Sequence, residues 1–203
     1  MIININSARE FRPDGMESPD LISAAGEPAI LRAATAFSRP ETHANDIAVQ
    51  IHLQALRSAR RMDGVFVILF DRNCQRIDRL IAPRFDCVVG DPDAMTGLTL
   101  PCNELFLKRF AKQPILEINS TSECPGEFEL LISCLSNFSL KSLVVGGIVA
   151  RDLVSGLFVM GTSQTRSQWN LDTHLTMRLL TATYAAGLER HLARQVYYGV
   201  KVW

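Results

Sequence analysis

The most informative part of this chain reads SLVVGGIVARDLVSGLFVMGT and runs from Ser142 to Thr162. Its two apolar runs, Ser142–Val149 and Gly156–Thr162, are rich in residues that favour strands. Only the short connection 150–155 separates them, and two strand signals so close together predict an antiparallel hairpin. The pair Gly146-Gly147 inside the first run predicts a bulge or a close backbone approach.

A second hairpin is predicted earlier in the chain. The run VFVILF, Val65–Phe70, is apolar on both faces, as a central strand is. Asp71–Asn73 supplies turn residues, and Gln75–Phe85 returns as the partner strand. We expect this hairpin and the one at Leu143–Thr162 to lie side by side in one antiparallel sheet, with a further short strand at Pro114–Ile118.

Segments with helical periodicity lie before and after the predicted strands in the sequence. Glu27–Arg39 and about 41–61 are predicted helices, and the second ends favourably in arginines near the negative end of its dipole. A closing helix is predicted at about 170–194, with Asn170 as its N-cap. This helix carries two apolar stripes, so it needs two packing partners.

The two stripes of the closing helix predict different contacts. The first is expected to lie on the sheet, and the second to pack against the preceding helix or against another subunit. For the second case we predict a homodimer whose interface is formed by Leu180, Tyr184, Leu188 and Leu192. The stripes consist of Leu171, Leu175, Leu179, Ala182 and Ala186, and of Met177, Leu180, Tyr184, Leu188 and Leu192.

The pattern as a whole predicts a single α+β domain at about 27–196, with its sheet core at about 63–163. Residues 1–26 mix prolines, glycines and charges without a sustained period, which predicts a flexible N-terminal arm. Residues 197–203 are expected to form a short C-terminal tail. The chain is too short for two ordinary domains.

The composition is that of a globular chain with balanced charges. Of its 203 residues, 47% are hydrophobic and 21% are charged, and 21 basic residues balance 21 acidic ones. Because no net charge draws the chain to phosphate backbones or anionic lipid, nucleic acid is not an expected partner. No apolar run approaches the roughly 20 residues of a membrane span, and the first residues lack the apolar core of an export signal, which predicts a cytoplasmic protein.

The sequence carries none of the common catalytic or metal-binding motifs. Gly-x-Ser-x-Gly, Gly-x-x-x-x-Gly-Lys, His-Glu-x-x-His and Cys-x-x-Cys are all missing. The histidines, His43, His52, His174 and His191, lie on predicted helices, and none pairs at i, i+4 with another metal ligand. The five cysteines have irregular spacing and are predicted to be reduced thiols. We therefore predict no metal, no cofactor and no catalytic residue.

The order of these elements resembles the GAF domain. The residues that carry the resemblance are Ser142–Val149, the turn at Asp152, Ser155–Gly161, and Arg166–Trp169 before the closing helix. The resemblance covers about 46–194. It implies an antiparallel sheet of five or six strands, with two long terminal helices on one face and a middle segment of short helices and loops that caps a ligand pocket on the other.

The resemblance also implies a function. GAF domains are chiefly small-molecule sensors and dimerisation modules attached to kinases, cyclases, phosphodiesterases or transcription factors. It therefore implies a regulatory domain rather than an enzyme, which binds a small molecule of unknown identity and signals through its terminal helices in a homodimer. Its output module would be missing, tiny or supplied by another chain as a separate output protein.

The middle segment supplies the candidate ligand-binding residues. Short helices are predicted at 103–112 and 127–135. If the segment folds over the sheet, its apolar side chains form pocket walls and its charged side chains orient a ligand. The alternative is that the apolar ones are core and the arginine lies on a solvated helix face. The candidates are Phe106, Arg109, Glu127, Phe128, Glu129 and Leu131.

Two other functions remain open. The domain could be an assembly module without a ligand, working through its helices. One GAF subfamily, the free methionine-R-sulfoxide reductases, uses thiols of the middle region, and Cys87, Cys102 and Cys124 occur there without that subfamily's surrounding glycine and Gly-His-Ile patterns. Bilin-attaching members usually show a Cys-His pair, whereas Leu135 follows Cys134, which argues against bilin attachment.

Overall fold

Five strands form one antiparallel sheet in the order β2-β1-β5-β4-β3. The computed structural model describes residues 19–71, 76–83, 108–110, 112–124, 126–135 and 138–197. Every neighbouring pair of strands runs antiparallel, so the predicted α+β class with a five-stranded antiparallel sheet is confirmed. In chain order the strands are β1 (Gly64–Phe70), β2 (Ile77–Ile81), β3 (Ile115–Ile118), β4 (Ser142–Ala150) and β5 (Leu153–Thr162).

β1 and β5 join the two predicted hairpins at the centre of the sheet. Their register runs from Gly64 opposite Gly161 to Leu69 opposite Gly156. All of β1 after its first residue is buried, as an uninterrupted apolar run predicts for a central strand. The expected side-by-side arrangement of the two hairpins is therefore confirmed.

The turn between β4 and β5 is tighter than predicted. Only Arg151 and Asp152 separate the strands, and their φ angles are 53° and 61°. Two consecutive residues with positive φ match the twist of the paired strands, as in a type I′ turn. The backbone N–H of Arg151 donates a hydrogen bond to Glu189 Oε1 at 2.5 Å, which ties the turn to the closing helix.

The helices extend further than the sequence predicted. α1 begins at Pro19, inside the predicted flexible arm, rather than at Glu27. The closing helix continues to Tyr197 instead of ending near residue 194. The helices of the described residues are α1 (Pro19–Phe37), α2 (Asp46–Arg60), α3 (Glu129–Leu135) and α4 (Leu171–Tyr197), with 3-10 turns at Pro40–Ala44, Thr121–Glu123 and Gly126–Phe128.

The predicted helix at about 41–61 is divided at Asn45. Its first part is the 3-10 helix, and α2 begins after Asn45, whose Oδ1 accepts a hydrogen bond from the N–H of Ile47 at 2.9 Å. An N-cap of this kind satisfies a backbone donor that has no partner within the helix. Asn170 caps α4 as predicted, because its Oδ1 accepts from the N–H of Thr173 at 2.8 Å.

α2 and α4 lie on one face of the sheet, and α1 packs against both of them. Arg60 at the end of α2 pairs with Asp172 at the start of α4. Glu41 of the 3-10 helix, which precedes α2, pairs with Arg194 near the end of α4. α2 and α4 therefore run antiparallel to each other. The predicted placement of two long helices on one face is confirmed, and α1 is an additional element on that side.

Candidate functional site

The predicted ligand-binding residues belong to the middle segment, whose described part packs on the sheet face opposite α2 and α4. Phe128 and Leu131 are buried there in an apolar cluster with Phe110 and with Phe66 and Val159 of the sheet. The rings of Phe110 and Phe128 meet edge to face with their centroids 6.3 Å apart. Phe128 and Leu131 therefore pack the middle segment onto the sheet.

Two of the charged residues in the predicted set are not buried with them. Arg109 and Glu129 are exposed. Phe106 and the side chain of Glu127 lie outside the described residues. Ligand binding by these residues therefore stays a prediction.

The predicted dimer interface lies inside the chain. Leu180, Tyr184 and Leu188 are buried in the apolar cluster on the helical side of the sheet, and Leu192 packs against that cluster. The ring of Tyr184 meets that of Phe37 of α1 edge to face, with centroids 5.3 Å apart. The interface prediction was wrong for these side chains, because α1 and the sheet already cover them.

The other stripe of α4 is the exposed one. Leu171, Leu175 and Leu179 expose 73%, 54% and 39% of their surface and are called the outer stripe below. The expectation that this stripe lies on the sheet was wrong. Periodicity shows that two stripes exist, but both are apolar, and only the tertiary contacts decide which one faces the sheet. On α2, Ile47 and Ile51 are exposed one helical turn apart.

The described residues also enclose a groove of about 860 Å³ near the end of α4. The last turns of α4 form one wall, and the 3-10 helix, the ends of β1 and β2, and the turn between β4 and β5 form the others. Neither the described part of the middle segment nor the outer stripe contributes to it. No motif or spacing in the sequence indicates this groove, because its walls come from residues as distant as His43 and Val196.

Two histidines at the groove have defined hydrogen-bond roles. His43 is 4% exposed, and its Nε2 lies 2.7 Å from the carbonyl oxygen of Phe37, so Nε2 carries the hydrogen and Nδ1 is an acceptor. Among the described residues, nothing donates to this buried Nδ1. In His191, Nδ1 donates to the carbonyl oxygen of Pro40 at 3.1 Å, and Nε2 accepts from Gln195 Nε2 at 2.8 Å.

The environment lowers the pKa of both histidines and so favours their neutral forms. Burial lowers the pKa of His43, opposed in part by its bond to Phe37, and the nearby charges of His191 and Arg79 lower it further. Burial is also the main cause that lowers the pKa of His191. Arg79 donates to Asp46 Oδ1 at 3.1 Å, and its Nε lies 3.5 Å from Asp78 Oδ2. The groove thus contains neutral acceptors beside paired charges.

This arrangement makes stability depend on pH. The lowered pKa of His43 means that, as the pH falls below about 6.5, the unfolded chain binds a proton before the folded chain does. The free energy of unfolding therefore decreases with falling pH. We predict a melting temperature that is lower at about pH 5.5 than at about pH 7, and a weaker dependence in His43→Gln, both measured by circular dichroism. A melting temperature that rises over this interval, or an unchanged dependence in the variant, contradicts the assignment.

Sequence comparisons identify no relative. No protein-family model matches the chain, and no curated protein is similar to it in sequence.

Solved structures, in contrast, share the fold. The phycoerythrobilin-bound GAF domain of a cyanobacterial phytochrome matches 85% of this chain over 99% of its own length, with a TM-score of 0.61 and 13% identity. The PixJ GAF domain of Thermosynechococcus elongatus matches 93% of this chain and 97% of its own, with a TM-score of 0.52 and 13% identity. Residues 122 to 287 of a methyl-accepting chemotaxis protein match 86% and 98%, with a TM-score of 0.56 and 18% identity.

These similarities establish the fold and nothing more specific. The chain has the fold of a GAF domain, which confirms the resemblance inferred from its sequence. None of the helices in the described ranges has the length and apolarity to cross a bilayer. The same ranges contain no cluster of three or more His, Cys, Asp or Glu side chains placed to share a metal ion.

The reductase alternative depends on three cysteines. Cys124 is half-buried, while Cys87 and Cys102 lie outside the described residues. A thiol mechanism needs a nucleophile and a resolving thiol within disulfide reach, and the structure describes one of the three thiols. The alternative therefore stays untested.

Proposed function

We propose that this chain is a cytoplasmic regulatory domain of the GAF type, which binds a small molecule. Ligand binding changes the conformation of its helices, and the helices transmit this change to a dimer partner. The observation that carries the proposal is the shared fold with domains whose structures hold bilins, together with a chemotaxis protein. The proposed role is regulatory and not catalytic.

The ligand is placed on the sheet face that the middle segment covers. Phe66 and Val159 form an apolar floor there, and Phe128 and Leu131 bring the segment against it. Apolar walls with a few polar groups are usual for small-molecule sites. Arg109, Glu127 and Glu129, with Phe106, are the other proposed ligand-binding residues.

The dimer contact is placed on the outer stripe. Leu171, Leu175 and Leu179 repeat every four residues and form one exposed line along α4, which no described element of the chain covers. Apolar side chains in such a line lose their contact with water when a second helix packs on them. The opposite face of α4 packs along β4. A shift of the sheet would therefore move α4 and, with it, the outer stripe.

Mass spectrometry of the released contents tests the ligand. We expect the purified protein, gently denatured, to release one small compound in an amount comparable to the protein. Protein that carries no compound, and whose melting temperature no candidate metabolite raises, contradicts the proposal, because a ligand that binds only the folded state stabilises it.

The second candidate is an assembly module without a ligand. The observation that favours it is the close packing of Phe128 against Phe110, which fills part of the face where the ligand is placed. The outer stripe would serve both functions equally. A dimer that releases no compound supports the assembly module, and a dimer that releases one supports the sensor.

A further inference from the structure

The groove near the end of α4 lies on the helical side of the sheet, away from the ligand face proposed above. Its volume of about 860 Å³ is within the range of pockets that hold small molecules. Leu69, Ala150 and Leu188 form a buried apolar floor, and Leu153 and Val196 form an exposed apolar rim. The groove therefore accommodates an elongated apolar body.

His43 lines this groove, and no described residue donates to its buried Nδ1. Its Nε2–Cδ2 edge faces Gly187, so Nδ1 lies on the opposite edge of the ring. A buried acceptor without a donor is unfavourable, and a ligand hydroxyl or N–H would satisfy it. Because the Nε2 hydrogen is held by the carbonyl oxygen of Phe37, the tautomer is fixed and Nδ1 cannot become a donor while the ring stays neutral.

Arg151 supplies a cation at this groove. Within the described part of the chain, its guanidinium makes no hydrogen bond or ion pair. The other charges at the groove are engaged, since Arg79 contacts Asp46 and Asp78, and Asp71 accepts the N–H of Arg76 at 3.2 Å. A guanidinium free to make two parallel hydrogen bonds is suited to a carboxylate.

We propose that this groove is a second binding site, which takes a small amphipathic carboxylic acid with a hydroxyl or amine donor. The apolar body lies on the Leu69 and Leu188 floor, the donor reaches His43 Nδ1, and the carboxylate pairs with Arg151. The site goes beyond the function proposed above, because it lies on the other side of the sheet. An occupant contacts His191, Gln195 and Val196 and so acts directly on the last turns of α4.

The probe for this site is 10-hydroxydecanoate, which carries all three features. We expect its titration, followed by proton–nitrogen NMR, to shift the backbone amides of Ser155, Leu192 and Gln195. Decanoate lacks the hydroxyl and is expected to bind about fivefold more weakly, the loss that one net hydrogen bond gives. 1,10-Decanediol lacks the carboxylate and is expected to bind at least about tenfold more weakly, because hydrogen bonds between charged groups contribute more. Shifts confined to Phe66, Val159 and their neighbours, or equal affinities for the three probes, overturn the proposal.

Two substitutions test the proposed contacts with His43 and Arg151 one at a time. His43→Gln keeps a donor for the carbonyl oxygen of Phe37 and removes the Nδ1 acceptor, so it should abolish the preference for 10-hydroxydecanoate over decanoate. Arg151→Gln should abolish the preference over the diol, and Arg178→Gln, on the exposed side of α4, should keep both preferences. An Arg151→Gln variant with unchanged preferences overturns the carboxylate assignment. These readouts are independent of whether a compound is recovered from the other face.

Discussion

Replacing Gly187 by alanine is expected to lower the free energy of unfolding by about 3 kcal/mol or more. A Cβ atom at this position would lie 1.9 Å from the carbonyl oxygen of Phe37 and 2.4 Å from His43 Nε2. Both atoms are held by their mutual hydrogen bond, so neither can withdraw without breaking it. The glycine is therefore what lets α1 and the 3-10 helix reach α4.

The expected sign of the change in the free energy of unfolding distinguishes a steric clash at Gly187 from an effect of helix propensity. In the interior of an unconstrained helix, Gly→Ala stabilises by about 1 kcal/mol. Gly126→Ala is the control, because a Cβ there meets no atom within 4 Å. Urea unfolding of the two variants measures the difference. A Gly187→Ala protein as stable as the unchanged one would show that the contact of α1 with α4 is not the one described.

The second large effect is expected from glutamate at Leu175 and Leu179 together. If the outer stripe is the dimer contact, burying two carboxylates opposite their symmetry mates is costly, and the dimer dissociation constant should rise at least about a hundredfold. Both side chains are exposed within one chain, so the fold should be kept. Sedimentation equilibrium over a range of concentrations measures the constant.

Two control variants show whether the loss of dimerisation is specific to the outer stripe. Leu153→Glu changes an equally exposed leucine at the turn between β4 and β5 and should leave the dimer intact. Leu188→Glu places a charge in the apolar cluster beneath α1 and should unfold the chain rather than merely separate its subunits. A double variant that dimerises as tightly as the unchanged protein would rule out the outer stripe.

Local signals made the sheet predictable. An uninterrupted apolar run such as Val65–Phe70 has few alternatives to a central strand, and Asn170 caps a helix through atoms three residues away. The hairpin at Ser142–Thr162 combines two strong strand signals with a short connection. Each of these features depends on neighbours in the sequence, so the two hairpins could be predicted from them, while the antiparallel sheet as a whole was implied by the resemblance to the GAF domain.

The placement of the helix faces could not be predicted in the same way. Leu179 and Leu180 are adjacent and equally apolar, yet the first is exposed and the second is buried. Leu180 packs in the apolar cluster formed by the sheet, α1 and α2, whereas Leu179 does not belong to that cluster. A contact between elements that are distant in sequence produces no periodic pattern within either element, so it cannot be predicted from local periodicity.

The groove could not be predicted either, because the elements that line it are also distant in sequence. His43 and His191 are far apart in the chain, and their ring centroids lie 6.4 Å apart. No spacing rule connects a 3-10 helix with the last turns of a closing helix. The one sequence signal was Gly187 in the middle of a helical pattern, since a glycine there usually marks close packing with another element.

The claim that occupancy reaches the dimer contact is tested most directly by comparing one preparation with and without its bound compound. By linkage, a ligand that changes the state of the helices must change the dimer dissociation constant by the same factor that dimerisation changes ligand affinity. Sedimentation equilibrium should therefore give two constants that differ by at least about fivefold, the lower end of typical coupling energies. Equal constants for the loaded and the stripped protein would contradict the account.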